Sequence, residues 1–323
     1  MNNKIKALFQ PDRLLAAFMA RFCTWLPEDV FLRCRYRLLM HKKLHLDNPK
    51  TFTEKIQWLK LHDRKPIYTK MADKYEVKEY VAQRIGEQYV IPTFGVWDKF
   101  DDIDFSQLPN QFVLKSTNGG GGTGVVICKD KSRLDIKAAK RLLYTSMSVP
   151  ASALQGEWVY KGIKPRIIAE KFMAPKNNPT PSDLTDYKFF CFNGEPRYCQ
   201  VIRDRRTKET IDFYDMDWNH QEFVGLNPNV SNGISPVERP KNLDDMKDIC
   251  RKLAKEIPFV RVDLYVIDDR EYFGETTFYP NSGFGEFEPR EWDKKIGEML
   301  ILPITGGVIY NIYYTKEEVR LCA

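Results

Sequence analysis

The sequence predicts an α+β fold with more than one subdomain. The chain has 323 residues, more than a single hydrophobic core usually organises. Its composition, with 43% hydrophobic and 29% charged residues, is that of a globular protein. Stretches of helical periodicity are mixed with short strands that pair as antiparallel hairpins. This pattern favours α+β over a doubly wound α/β sheet.

The predicted helices follow from apolar periodicity and from residues that cap helix ends. Thr53 and Ser132 are the candidate N-caps of the third and the fifth helix. The helices are expected over residues 13–25, 29–45, 53–62, 70–85, 132–147, 243–255 and 288–301.

The predicted strands are short runs rich in β-branched and aromatic residues. The pair Asn193-Gly194 is typical of a tight hairpin turn between the fifth and the sixth strand. The strands are expected over residues 89–97, 111–115, 124–129, 166–172, 186–192, 197–203, 210–214, 259–267 and 271–278.

The composition argues against several classes of protein. Arg21 interrupts the longest apolar run, residues 14–26, so no membrane span is expected, and no secretory cleavage site follows it. Seven scattered cysteines without a CxxC pair indicate a reducing compartment. Three of the four histidines lie in the N-terminal region, which argues against a histidine triad or a histidine-ligated metal. We therefore expect a cytoplasmic protein.

The net charge of +6 is concentrated in the first 50 residues, which hold ten Lys or Arg side chains against four acids. This segment is expected to act as an association element, and two explanations stay open. Its helices pack on the body and leave a solvated basic face, or they bind anionic lipid at the inner face of the membrane. An anionic glycan is a further partner that the same charge suits.

A glycine-rich loop, STNGGGGTGV, follows the second predicted strand. Gly119, Gly121 and Gly124 match GxGxxG, but a dinucleotide fingerprint needs a helix next, and a β-branched strand follows here. A Walker A loop needs Lys-Ser or Lys-Thr after the glycines, and this loop has Thr123-Gly124 instead. Bare amides in such a hairpin loop can close over phosphate oxygens, which Lys115 at the end of the preceding strand also suits. The alternative is a mobile hairpin tip with a solvated lysine.

The string FVRVDLYVIDDREYFGETTF predicts an antiparallel hairpin. With a three-residue turn at 268–270, Asp263 faces Glu275 and Arg261 faces Thr277. Two facing carboxylates repel, so a cation is expected between them, and oxygen ligands without Cys or His suit Mg²⁺. The alternative is that Arg261 or a nearby lysine neutralises both acids.

Seven strings of the sequence together resemble the TupA-like ATP-grasp family, which is linked to bacterial cell-surface polysaccharides. They are specific as a set rather than singly: NPKTFTEKIQWLKLHD, YTKMADKYEVKEYV, LPNQFVLKSTNGGGG, KPRIIAEKF, DYKFFCFNG, PFVRVDLY and FGETTFYPNSGFG. The resemblance implies an ATP-grasp fold, in which a nucleotide lies between two α+β subdomains behind a helical N-terminal segment. The expected divisions are a basic helical segment (1–50), a helical and linker part (51–110), a small subdomain with a glycine lid (111–175), a large subdomain with the metal site (176–303) and a tail (304–323).

The resemblance also implies roles for individual residues. Lys74 and Lys115 look like the nucleotide lysines, the loop Gly119, Gly120, Gly121 and Gly122 like the lid over the phosphates, and Glu170 with the backbone of Lys171 and Phe172 like the hinge that reads adenine and ribose. Asp263 and Glu275 resemble the metal carboxylates and Arg261 the transition-state arginine. Lys188 and Arg203, on intervening strands, are candidates for γ-phosphate or substrate. The usual Glu-x-Asn is Glu275-Thr276-Thr277 here, which leaves the third metal oxygen open between Thr277, Asn281 and water.

The implied activity is an ATP- and Mg²⁺-dependent ligation of a carboxylate to an amine through an acyl phosphate. The family setting implies a uronic acid or amino acid of a surface glycan, joined to an amino acid or amino sugar, and no nucleic acid. One alternative is a glycosyltransferase-like enzyme that uses a nucleotide sugar, in which Asp215-Met216-Asp217 is either a DxD motif or a turn with solvated acids. The other is a nucleotide-binding protein without catalysis.

Overall fold

The computed structural model describes residues 11–23, 25–120, 124–148, 155–178, 184–204, 208–227 and 230–303. Two antiparallel sheets dominate this part of the chain. The smaller sheet has the order β1-β4-β2-β3, with β1 Thr93–Trp97, β2 Phe112–Ser116, β3 Val125–Cys128 and β4 Ile167–Lys171. The larger has the order β11-β10-β5-β6-β7-β8, with β5 Asp186–Phe192, β6 Glu195–Arg203, β7 Thr210–Asp215, β8 His220–Gln221, β10 Phe259–Ile267 and β11 Arg270–Thr277. A two-stranded sheet pairs β9 Val224–Gly225 with β12 Phe287–Glu288.

The described residues form eight α-helices, so the predicted α+β class is confirmed. They are α1 Pro11–Phe22, α2 Glu28–Met40, α3 Phe52–His62, α4 Pro66–Ala72, α5 Glu76–Ile85, α6 Ile136–Ser148, α7 Leu243–Ala254 and α8 Glu291–Met299. Within the described residues no helix is both long and apolar enough to cross a membrane.

Each main sheet has its own hydrophobic core. The smaller sheet packs on α6 around Phe112, Leu114, Ala139, Leu143 and Ile167, all buried. The larger core joins the six-stranded sheet to α2, α3, α4, α5, α7 and α8. Each sheet can therefore hold its own set of functional side chains rigidly.

Both predicted N-caps were wrong by a few residues. Thr51 caps α3, since its hydroxyl accepts from the Glu54 N–H at 3.3 Å and the Glu54 carboxylate accepts from the Thr51 N–H at 3.1 Å. Thr53 instead donates its N–H and hydroxyl to Asp293 on α8, at 2.9 and 2.7 Å. A separate 3₁₀ turn, Lys131–Arg133, contains Ser132, and α6 begins only at Ile136.

Helix α3 is buried on most of its surface and holds the loop after β11. Gln57 donates to the carbonyls of Ser282 and Gly283 at 3.0 and 2.9 Å, and Lys60 donates to that of Ser282 at 2.8 Å. Asn281, Ser282 and Gly283 have left-handed φ values of 46°, 55° and 66°. Three successive residues in this region are unfavourable unless the surroundings enforce it, and the buried amide and ammonium of α3 do so.

The single helix predicted over 70–85 is divided at Asp73. The Asp73 carboxylate accepts from the N–H groups of Tyr75 and Glu76 at 2.7 and 3.1 Å, which ends α4 and starts α5. Lys74 therefore lies in a turn, where its N–H donates to the Thr117 carbonyl at 3.1 Å. This bond ties the helices to the start of the glycine-rich loop.

In the hairpin β10–β11 the two acids pair as predicted, but the turn is shorter than predicted and a bulge restores the register. Its turn has two residues, Asp268 and Asp269, with φ values of 52° and 59° that suit a type I′ turn. A bulge at Gly274 then shifts the register by one residue, so that Asp263 pairs with Glu275. A side chain at Gly274 would bring its Cβ within 3.1 Å of the Asp263 carbonyl oxygen.

Candidate nucleotide and metal site

A cavity of about 350 Å³ lies between the two main sheets. Aliphatic and aromatic side chains form part of its wall, and lysines and carboxylates form the rest. The lining includes Lys74, Val77, Lys78, Val90, Ile91, Val113, Lys115, Val125, Ile127, Lys129, Glu170, Lys171, Phe172, Met173, Leu184, Asp186, Lys188, Tyr265, Phe273, Gly274 and Glu275. The combination of an apolar part and convergent charges is typical of a small-molecule site.

Strands β2 and β4 bring Lys115 and Glu170 together on the wall of the smaller sheet. The Glu170 carboxylate lies 2.6 Å from the Lys115 Nζ and 2.6 Å from the Lys78 Nζ, one oxygen to each lysine. Burial opposes ionisation of Glu170, but the charges of Lys115 and Lys78 lower its pKa to about 2. Burial also lowers the pKa of Lys78, whereas Glu170 raises the pKa of Lys115 against the effect of burial. This group therefore carries one positive charge in excess.

Lys78 was missed by the sequence analysis. It lies on α5, and its ammonium also donates to the Ile91 carbonyl at 2.7 Å. Residues four apart share a helix face, so the spacing of Lys74 and Lys78 was a usable signal. Within the single helix predicted over 70–85 both lysines would lie on one face, so the signal was present but was not used.

Lys74 contacts both the start of the glycine-rich loop and the larger sheet. The Lys74 ammonium donates to the Gly119 carbonyl and lies 3.7 Å from the Glu275 carboxylate. Gly119 is buried and Gly120 half-buried, whereas Gly121 and Gly122 lie outside the described residues. The loop returns at Gly124, whose φ of 68° suits glycine and whose missing Cβ leaves room for Ser146.

The wall of the larger sheet holds two facing carboxylates, Asp263 on β10 and Glu275 on β11. Arg261 donates to both oxygens of Asp263 at 2.7 Å and approaches Glu275 at 3.3 Å. Lys188 on β5 donates to Asp263 and lies 3.8 Å from Asp186. Burial opposes ionisation of Glu275, but Lys74, Lys188 and Arg261 lower its pKa to about 2. The alternative reading, in which Arg261 and a lysine neutralise the acids, thus describes the contacts present here.

Within the described ranges, seven of the predicted site residues do not line the cavity: Gly119, Gly120, Arg203, Arg261, Asp263, Thr277 and Asn281. Arg261 and Asp263 contact the lining residues Glu275 and Lys188, and the Gly119 carbonyl accepts from Lys74. Thr277, Asn281 and Arg203 have other partners. The Thr277 hydroxyl accepts from Arg261 at 2.9 Å, and the Asn281 amide donates to the Leu226 carbonyl at 2.7 Å. Arg203 lies 3.0 Å from Asp212, a buried carboxylate that also accepts from His220 at 3.0 Å. None of the three lines the cavity among the residues that the structure describes.

The Asp215-Met216-Asp217 string forms a turn between β7 and β8. The Asp215 carboxylate accepts from the N–H groups of Asp217 and Asn219 at 3.0 and 2.8 Å, and from the Asn219 amide at 2.9 Å. These bonds are those of a turn that aspartate stabilises. The geometry therefore favours the turn over a nucleotide-sugar motif.

The donor set fits a divalent cation that is held mainly by its nucleotide. In the described ranges, no three His, Cys, Asp or Glu side chains converge closely enough to hold a metal ion by themselves. Mg²⁺ usually takes only one or two carboxylates and completes its shell with water and phosphate oxygens. Glu275 faces the cavity and its side chain is 37% exposed, so it can supply such an oxygen. Asp263 lies behind it, engaged by Arg261 and Lys188.

The fold and the cavity define an ATP-grasp protein. The chain belongs to the TupA-like ATP-grasp family, whose match spans residues 54–301, as the sequence motifs predicted. No curated protein matches the chain.

Several solved structures are similar to the chain at low identity. D-alanine–D-alanine ligase from Bacillus anthracis is 19% identical, with 64% of this chain and 57% of that chain covered and a TM-score of 0.39. The same enzyme complexed with ATP is 16% identical, with 64% and 55% covered and a TM-score of 0.40. A RimK domain protein ATP-grasp from Sphaerobacter thermophilus is 11% identical, with 74% and 70% covered and a TM-score of 0.39. The chain thus spans a little over half the length of the two Bacillus anthracis structures.

Proposed function

We propose that the protein is an ATP-dependent carboxylate–amine ligase that forms an amide through an acyl phosphate. The observation that carries this proposal is the cavity with a cationic wall on one sheet and paired carboxylates on the other. The nucleotide would lie between a small subdomain (111–175) and a large one (176–303). Phosphoryl transfer needs positioned cations and little covalent participation from the protein, which suits this wall.

The reaction proceeds in two steps. A carboxylate oxygen of the acceptor attacks the γ-phosphorus of ATP, and ADP leaves with the electrons of the broken phosphorus–oxygen bond. The amine nitrogen then attacks the acyl carbon, loses a proton and expels inorganic phosphate. The product is the amide, and no oxidant or reductant is required.

Each wall has a distinct part in this proposal. Lys115 and Lys74, which both line the cavity, would bind the phosphates, and Lys74 also donates to the Gly119 carbonyl at the start of the glycine-rich loop. The roles of Gly121 and Gly122 stay predictions from the resemblance. Lys188 offers a further cation from the opposite wall, whereas Arg203 is held elsewhere by Asp212.

The resemblance assigns Glu170 to the hinge that reads adenine and ribose, but both of its carboxylate oxygens are paired with lysines. With its carboxylate between Lys78 and Lys115, its first task is to position these ammonium groups. The Lys171 N–H donates to the Pro92 carbonyl at 2.9 Å, so the base would be read mainly by the backbone of Phe172, which lines the cavity just after β4. The apolar lining, including Val113 and Ile127, provides a surface for a flat ring.

Mg²⁺ would be held by Glu275 and by phosphate oxygens, and Asp263 would join if Arg261 and Lys188 shift toward the phosphates. When bound, the ion supplies positive charge where negative charge develops during transfer. Arg261 would add charge at the same place. Thr277 and Asn281 do not face the cavity, which leaves water as the simplest source of the remaining oxygens.

The substrate class follows from the family, whose setting is bacterial surface polysaccharide. We propose a uronic acid or amino acid of a glycan as the carboxylate and an amino acid or amino sugar as the amine. The enzyme would work in the cytoplasm, where ATP is available, with peripheral association at the inner face of the membrane through residues 1–50.

Trapping of the acyl phosphate tests the proposal. The protein is incubated with ATP, Mg²⁺, a uronic acid oligosaccharide and hydroxylamine, which replaces the amine and yields a hydroxamate. We expect ADP release that depends on the carboxylate, with hydroxamate in equal amount. Release of UDP from a UDP-sugar, or formation of AMP, would contradict it. Arg203→Ala serves as the control variant, since Arg203 lies outside the cavity.

A further inference from the structure

Helix α1 is apolar on two opposite sides. Ala16, Met19 and Ala20 are buried on the side that packs on α2. On the other side Leu14, Phe18 and Phe22 recur every four residues. A surface helix normally has one apolar side, and a helix that is apolar all round is normally buried. The second side of α1 therefore has the character of a contact surface.

We call this second surface the α1 face. It consists of Leu14 (51% exposed), Leu15 (49%), Phe18 (54%), Phe22 (60%) and Trp25 (77%). The rings of Phe18 and Phe22 lie 4.8 Å apart and form the centre of a continuous patch. Contiguous exposed apolar side chains of this size mark interaction sites in soluble proteins.

The helix is fixed to the body. Arg35 of α2 is buried, donates to the Ala16 carbonyl at 2.7 Å, and donates to the Gln155 side chain at 2.7 Å. The packing explanation for the basic N-terminal segment therefore holds for the inner side of α1. It leaves the α1 face unexplained, because that face points away from the packed residues.

Cations border the α1 face. A groove of about 590 Å³ runs beside it, lined by the apolar residues Leu15, Met19, Leu38 and Leu44 and by Arg33, Arg37 and Lys43.

Of the three acids at the start of α1 and α2, two lie near a basic side chain, whereas Asp29 is exposed. Asp12 lies 3.6 Å from His41, and Glu28 pairs with Arg64 and, at 2.8 Å, with Lys161. Arg33, Arg37 and Lys43 of the groove still outnumber Asp12 and Asp29, so the net charge offered to a partner is positive.

We propose that the α1 face docks the protein on the surface of an anionic lipid bilayer. The aromatic and leucine side chains would enter the interface, and Arg33, Arg37 and Lys43 would meet anionic headgroups. A second copy of the chain fits less well, because a symmetric contact would bring its cations against the same cations. The inference deepens the proposed membrane association but does not depend on ligase activity.

Vesicle flotation tests the docking directly. The full chain, without nucleotide, is mixed with vesicles of phosphatidylcholine and phosphatidylglycerol and with vesicles of phosphatidylcholine alone. We expect binding to the anionic vesicles only, with release at high salt because screening weakens the headgroup contacts. Failure to bind the anionic vesicles at low salt would overturn the proposal.

Two single variants locate the docking surface. Phe18→Ser and Trp25→Ser should each lower the partition into anionic vesicles by about tenfold, since each removes a ring from the interface. The matched control is Ile234→Ser, which removes an apolar side chain that is 95% exposed elsewhere. Equal binding by all three variants and the original chain would exclude the α1 face. Unchanged melting temperatures show that the variants stay folded.

Trp25 also provides a spectroscopic readout. Its fluorescence should shift to shorter wavelength when anionic vesicles are added, and Trp25→Phe should abolish the shift while retaining binding. Sedimentation velocity distinguishes the competing occupant. Dimerisation without vesicles that Phe18→Ser abolishes would assign the α1 face to a second copy and overturn the membrane proposal.

Discussion

The two sheets that form the cavity each bring together buried and half-buried charged side chains, but the charges of the two sheets have opposite balances. On the smaller sheet one carboxylate, Glu170, lies between two ammonium groups, Lys78 and Lys115. Positive charge is in excess there, so that wall attracts anions before any ligand arrives. The excess suits the phosphates of a nucleotide.

On the larger sheet three carboxylates surround two cations. Among the residues of this sheet, Asp186, Asp263 and Glu275 exceed Lys188 and Arg261 by one negative charge, which Lys74, 3.7 Å from Glu275, offsets from outside the sheet. If Lys74 turned toward the phosphates of a nucleotide, the remaining negative charge would suit the proposed Mg²⁺ while Arg261 stayed in place. The comparison shows that the division of labour in the cavity is already present in the buried charges of each sheet. Variants that remove one charge at a time test this division of roles between the two sheets.

Removal of Arg261 should have the largest effect. Asp263 is only 2% exposed, and without Arg261 its ion pair with Lys188 would remain. Breaking a buried pair by removing one partner costs about 3–5 kcal/mol. Arg261→Ala should lower the free energy of unfolding in urea by that amount in the absence of ligand.

A control for this effect exists on the same sheet. Arg203→Ala also deprives a buried carboxylate, Asp212, of its arginine, but away from the cavity. It should lose stability without changing ATP affinity or turnover, whereas Arg261→Ala should lower turnover as well. A variant Arg261→Ala as stable as the original chain would show that the pair contributes nothing to folding.

The ionised Glu170 carboxylate should make the free energy of unfolding depend on pH in the acid range. Its pKa is about 2 in the folded protein against an ordinary 4.5, so the unfolded chain takes up the proton first as the pH falls. The stability that Glu170 contributes is complete above about pH 4.5 and is lost toward pH 2, a change of about 3 kcal/mol. Urea unfolding of Glu170→Gln should depend less on pH in this window. The exposed Glu298→Gln should leave the profile unchanged, and a Glu170→Gln profile that overlays the original would contradict the assignment.

Removing the charge of Glu275, the carboxylate that lines the cavity on the larger sheet, tests whether it binds Mg²⁺. Glu275→Gln keeps the shape of the side chain but removes the charge, and should lower turnover by about a hundredfold with a raised Mg²⁺ requirement. Glu271→Gln, on the same strand and outside the cavity, should behave like the original enzyme. Original turnover in Glu275→Gln would remove Glu275 from the metal site.

The smallest effects are expected for the two lysines of the smaller sheet's wall, Lys115 and Lys78, which should differ in how much each contributes to ATP affinity. Lys115→Met should weaken ATP binding by about tenfold, since a charged hydrogen bond to phosphate is lost. Lys78→Met should weaken it by about threefold, because Lys78 acts through Glu170. Titration calorimetry measures both, with surface Lys70→Met as the control. A larger loss for Lys78 would make it the direct phosphate ligand.

Much of the site was predictable from the sequence. The facing of Asp263 and Glu275 was predicted, although for an incorrect reason, because the shorter turn at Asp268-Asp269 and the bulge at Gly274 cancel. Local patterns report strand pairing to within a residue, but they do not reveal a bulge, which depends on packing. Here the two errors compensated at the acids.

The partners of each charge could not be predicted. Arg203 lies on a strand of the same sheet as Arg261, but the first meets Asp212 and the second Asp263. Lys78 entered the site only because Asp73 interrupts the helix and α5 then faces Glu170. Such contacts join residues far apart in the chain, and no local pattern records which carboxylate a cation will meet.

The sequence by itself determined the α+β class, the family and the presence of a glycine-rich loop beside paired acids, because periodicity, turn residues and motif strings are local properties. The tertiary structure decided which charges neutralise one another, which wall is cationic and which side of α1 remains exposed. Those outcomes depend on burial and on distances of a few ångströms between distant segments. Electrostatic energy varies steeply over such distances in a protein interior, so only the folded arrangement can settle them.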